Sequence, residues 1–78
     1  MRYADGNDAK LGDTVAIDEK YRGLVVADID GGKFSERFKE GWSYLKTGIL
    51  VDTDFGGLVH YPNNEHEHIV LLARANDL

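Results

Sequence analysis

Five short apolar runs, separated by glycine, proline and acidic residues, set the rhythm of this chain. In Thr14-Val15-Ala16-Ile17 the side chains of Val15 and Ile17 fall on one side of an extended backbone, the core side. Asp18-Glu19-Lys20 then reads as a loop. Residues 23–29 are apolar on both faces, which predicts a central strand covered on both sides or strongly bent. Asp30-Gly31-Gly32 supplies turn chemistry after it. Ile49-Leu50-Val51-Asp52 predicts a third strand. Asp54-Phe55-Gly56-Gly57 predicts a hairpin turn, with glycine providing positive φ. Leu58-Val59-His60-Tyr61 predicts a fourth strand, which Pro62-Asn63-Asn64 breaks. Residues 68–73 predict a fifth, and residues 74–78 a frayed end.

The stretch from Lys33 to Thr47 is the longest connection. Phe34, Phe38, Trp42 and Leu45 recur at spacings of four, four and three, one face of a helix. Ser35 suits an N-cap and Gly48 a C-terminal glycine. Gly41 in the middle costs about 1 kcal/mol relative to alanine. The segment therefore reads either as one or two helical turns within a long loop or as an irregular loop. The whole is mainly β, a five-stranded antiparallel domain with Val26, Ile49 and Val51 in its core. Two long exposed edges invite aggregation, and curling into a small, partly open barrel removes them. An open five-stranded sheet with the middle segment packed across one face is the alternative.

Length and charge narrow the classes. Seventy-eight residues make one domain, residues 1–78. With no cysteine, neither disulfides nor a thiolate zinc site can supplement a thin core. A formal net charge of −5 disfavours phosphate backbones and anionic membrane surfaces, and favours a basic protein partner. No apolar run approaches the ~20 residues of a membrane span. The first residues lack the apolar stretch of a secretory signal, and Asp5 and Asp8 argue against a transit peptide. The expected location is the cytoplasm of a bacterium.

Gly12-Asp13-Thr14-Val15-Ala16-Ile17, followed by Gly23-Leu24-Val25-Val26-Ala27, resembles the opening of KOW-type and related SH3-like small barrels. There a Gly-Asp turn leads into a β-branched strand and a second glycine starts the next. The resemblance covers about the first third of the chain and implies a five-stranded SH3-like barrel. KOW domains that bind RNA are usually basic, and this chain is acidic. The second half, residues 42–51 with Gly56-Gly57-Leu58-Val59-His60-Tyr61, looks like short bacterial proteins, including immunity proteins that neutralise toxins. Neither resemblance carries over a catalytic residue.

Few constellations carry chemistry. Glu65-His66-Glu67-His68 puts both histidines on one side of an extended segment, with His60 just before it. Three imidazoles and a carboxylate could bind zinc or nickel, but the spacing matches no closed zinc pattern, and a solvated acidic loop is the preferred reading. Asp28 and Asp30 share a face, as do Asp52 and Asp54. If their strands pair, the four could converge on a hard cation. The calcium-loop pattern fails at its twelfth position, Lys39, and turn-capping is the simpler role. Ser35 and Ser43 have no neighbouring histidine or glycine elbow. No cofactor is indicated.

Aromatic side chains are the better candidates, since Trp and Tyr dominate interface hot spots. Phe34, Phe38 and Trp42 also suit a barrel mouth. The expected function is a non-enzymatic protein-interaction module, such as an immunity or regulatory factor, binding through Trp42, Tyr44, His60 and Tyr61. A KOW-like nucleic-acid-associated domain is one alternative. A metal-dependent enzyme or sensor is another.

Overall fold

The computed structural model describes residues 1–35, 46–62 and 68–75. They form one antiparallel sheet of six strands. These are β1 (Thr14–Ile17), β2 (Tyr21–Asp28), β3 (Lys33–Phe34), β4 (Ile49–Thr53), β5 (Gly57–Tyr61) and β6 (Ile69–Ala73). The order is β5-β4-β2-β1-β6, with β3 also paired to β2. A meander therefore carries its last strand back beside its first.

The sixth strand follows from unequal lengths. β2 has eight residues and β1 only four. β1 pairs with Tyr21 to Leu24 and the Gly12-Asp13 turn bonds to Val25, which leaves Val26 to Asp28 open on that side. Lys33 and Phe34 fold back to pair with Asp28 and Ala27, and the Ser35 amide donates to the Val26 carbonyl. So the long connection begins as a strand. The expected helical turns between residues 36 and 45 lie outside the described residues.

The run that is apolar on both faces is explained by a bulge. Val25 pairs with Val51 and Ala27 with Leu50, so Val26 is the extra residue. An extra residue shifts the side-chain alternation and bends the strand. Before it, Val25 joins the main core with Tyr3, Val15, Ile17, Ile49, Val51, Tyr61 and Ile69. After it, Val26, Ala27 and Ile29 join Leu50 in a second cluster that Phe34 covers. One strand thus supplies two cores, and Val26, Ile49 and Val51 are all buried.

Two glycines allow this packing. A side chain at Gly23 would run into Val51 and leave Ile17 little room. Gly48 has a φ of 89°, and a side chain there would collide with the backbone of Tyr61 and Pro62. It allows the close approach of the chain at Tyr61 and Pro62 as β4 begins; the helix it was expected to end lies outside the described residues.

The sheet is not closed into a barrel; β5 and β6 are its two ends. The expected closure is replaced at β6 by a strap. Residues 1–11 cross the main core, where Tyr3 and Ala9 are buried. The Ala4 amide donates to the Ile69 carbonyl, and the Leu71 amide donates to Asp5 Oδ2 at 3.0 Å. An edge whose backbone groups are already engaged is a poor template for another chain. The start of the expected frayed end is also tied down. Arg74 Nη1 donates to the Asp8 carbonyl at 2.7 Å and to Asp13 Oδ2 at 3.0 Å.

Candidate functional site

The face of the sheet opposite the main core is its most exposed apolar surface. Thr14, Leu24, Asp52 and Leu58 are cross-strand neighbours on β1, β2, β4 and β5. Directly paired residues point to the same side. Their chain neighbours Val15, Val25 and Val51 point inward, so this row points outward. Leu24 is 46% exposed although it lies on a central strand. Leu58 and, in the bulge of β6, Leu72 are exposed as well.

Around Leu24 the surface sinks into a shallow open hollow of about 360 Å³, lined by Thr14, Arg22, Gly23, Leu24, Asp52, Thr53 and Asp54. Tyr21 is paired with Ile17 and so points to the core side of the sheet, where its ring meets that of Phe55 with centroids 4.6 Å apart and planes tilted by 47°. Such aromatic pairs contribute about 0.5–1.5 kcal/mol beyond area burial. They fix Phe55 at the tip of the β4–β5 hairpin, where it remains 49% exposed.

That hairpin is built locally. Thr53 Oγ1 accepts from the Gly56 amide at 3.1 Å and donates to the Gly57 carbonyl at 2.7 Å. Gly57 takes a φ of 72°. The Asp54 amide donates to the Arg22 carbonyl, which tethers the hairpin to β2 and sets Asp54 beside Arg22. The hollow thus combines one cation, two carboxylates and an apolar floor.

The aromatic candidates are distributed differently. Trp42 and Tyr44 lie outside the described residues. Tyr61 is buried in the main core beside Ile49, so it fills space instead of offering a surface. His60 is half-buried on β5, and its Nε2 lies 2.8 Å from the Thr47 carbonyl, bracing the start of β4.

The aspartates do not converge. β2 and β4 pair as the convergence requires, but Asp28 meets Ile49 at one end and Asp52 meets Leu24 toward the other. Asp28 Oδ1 accepts from the Gly31 amide at 3.2 Å, a turn cap. Asp30 Oδ2 accepts from the Met1 ammonium at 2.9 Å, which holds its carboxyl below the usual range. His66 lies outside the described residues, and His68 is exposed. Among the described residues no three metal-ligating side chains gather.

Leu24, Leu58, Tyr21 and Arg22 were missed as surface residues. Leu24 sits inside an uninterrupted apolar run, where composition alone marks every position as core. The polar partner opposite it, Asp52, was the available signal.

No family model, curated protein or solved structure matches the chain.

Proposed function

We propose that this domain is a non-enzymatic protein-interaction module that binds through the face centred on Leu24. The carrying observation is an exposed leucine on a central strand, set in a hollow and flanked across Asp52 by exposed Leu58. An apolar patch with a polar rim is the ordinary anatomy of a protein interface. The strand order, with the last strand back beside the first, and the Gly12-Asp13 turn leading into β1 support an SH3-like module. A role as an immunity or regulatory factor is consistent with a small binding domain of this kind. The acidic side chains around the hollow, Asp52 and Asp54, weigh against the KOW-like nucleic-acid alternative, because phosphate contacts need lysine and arginine.

The test is a photo-crosslinker in place of Leu24, in the cells that make the protein, with a second variant carrying it at exposed Lys10. The reading expects a discrete adduct from position 24 that protease removes and nuclease does not. A nuclease-sensitive adduct, or adducts from position 10 alone, would contradict it.

A further inference from the structure

We infer that the occupant of this face is a basic protein segment, one that lays an aliphatic or aromatic side chain against Leu24 and carries a lysine or arginine beside it. This rests on the interaction reading above and specifies the partner's chemistry. The argument turns on Asp52. It is paired with Leu24 on one side and Leu58 on the other, so its carboxylate stands between the two exposed leucines. Any partner that covers both leucines covers Asp52 as well. Among the described residues nothing bonds to that carboxylate, which therefore depends on water while the face is open.

Three kinds of partner can be compared. A purely apolar partner would strip the water from Asp52 and leave a charge without a counterpart, which opposes binding. An acidic partner would add repulsion from Asp52, Asp54 and a chain whose net charge is −5. A basic segment satisfies Asp52 directly, and its approach is favoured by that same charge. Arg22 does not reverse the preference, since it is the one cation lining the hollow against the two carboxylates of Asp52 and Asp54. The apolar contact supplies most of the affinity, and the cation determines which apolar segments qualify.

The experiment selects random twelve-residue peptides displayed on phage against the immobilised domain. Synthetic copies of the enriched peptides are then titrated into the wild type, Leu24→Ser and Asp52→Asn. Both positions are exposed, and melting curves check that each variant folds. The inference expects enriched peptides with Lys or Arg next to Leu, Ile, Phe or Trp. Leu24→Ser should abolish binding, and Asp52→Asn should weaken it roughly tenfold. Peptides that need Leu24, carry no cation and ignore Asp52→Asn would overturn the basic-segment inference and leave the interaction reading standing. Enrichment of nothing, or of peptides indifferent to Leu24→Ser, would overturn both. Sedimentation of the free domain decides the remaining case: a dimer abolished by Leu24→Ser would give the face to a second copy of the chain.

Discussion

The Tyr3 hydroxyl donates to Asp13 Oδ2 at 2.5 Å, with both side chains buried. The same oxygen accepts from the Lys10 amide at 2.9 Å and from Arg74 at 3.0 Å. One carboxylate thereby joins the strap, the turn before β1 and the residue that follows β6. Asp13 also engages β2 through its backbone, since its carbonyl accepts from the Val25 amide. The Gly-Asp turn that resembles the opening of small barrels is thus the point where the two ends of the described fold meet.

Removing single partners from this cluster should be costly. Tyr3→Phe keeps the ring and leaves Asp13 short of a donor, and is expected to destabilise by about 1–3 kcal/mol. Tyr3→Ala also empties core volume and is expected to cost about 3–5 kcal/mol, most of the stability of so small a domain. Arg74→Met keeps the aliphatic stem and removes the charge that faces Asp13, with an expected loss of about 1–3 kcal/mol. Urea titrations of the three variants measure these values. A neutral Tyr3→Phe would mean that the buried hydroxyl contributes nothing.

The same bond makes stability depend on alkaline pH. Burial, then the hydrogen bond to Asp13, pushes the Tyr3 hydroxyl well above its ordinary value of 10.0. Its contribution is complete below pH 10, where the hydroxyl is protonated in both states. Above about pH 10 the unfolded chain loses that proton and the folded one keeps it, so stability falls as pH rises. Unfolding free energies between pH 9 and about 11 should decline more steeply for the wild type than for Tyr3→Phe. Equal slopes would remove Tyr3 from the effect.

The edge of β6 offers a local test. Asp5 accepts from the Asn7 amide through Oδ1 and the Leu71 amide through Oδ2, each at 3.0 Å. These bonds hold its carboxyl below the usual range, the Asn7 amide being the larger cause. The stabilisation is present above the ordinary carboxylate pKa and is lost as pH falls through the lowered one. Asp5→Ala should speed hydrogen exchange at the Leu71 amide and raise aggregation, since it frees an edge donor. Unchanged exchange at Leu71 would show that the strap protects nothing there.

Core truncations report on the bulge. Val26→Ala and Ile49→Ala remove buried methyl groups from the two separate clusters. Each should cost about 1–4 kcal/mol. The double mutant should be close to additive if the clusters are independent. Strong coupling between them would contradict the division of β2 by its bulge.

The strands were legible because their signal is local. Residues 14–17 alternate cleanly and became β1 unchanged, and the glycine-rich turn before Leu58 became a hairpin. Val26, Ile49 and Val51 could be placed in the core from the same pattern. What could not be read depends on distant parts of the chain. Nothing in Tyr3-Ala4-Asp5 announces a strap, because its value lies in the β6 edge more than sixty residues away. β3 is too short to show a period, and the length of β2 is what demands it. Tyr61 looked like an interface residue by type and is core by register, opposite Ile49. Leu24 is the converse case, a leucine in an apolar run that the pleat turns to the surface.

The central claim is that the face around Leu24 is where a protein partner binds. The most direct measurement maps backbone amide shifts of the labelled domain as the protein captured by the position-24 crosslink is added. The account predicts that the largest changes fall on Leu24, Asp52, Asp54 and Leu58, and that the strap, residues 1–11, changes little. Changes concentrated on the strap and β6, with Leu24 and Asp52 unmoved, would contradict it.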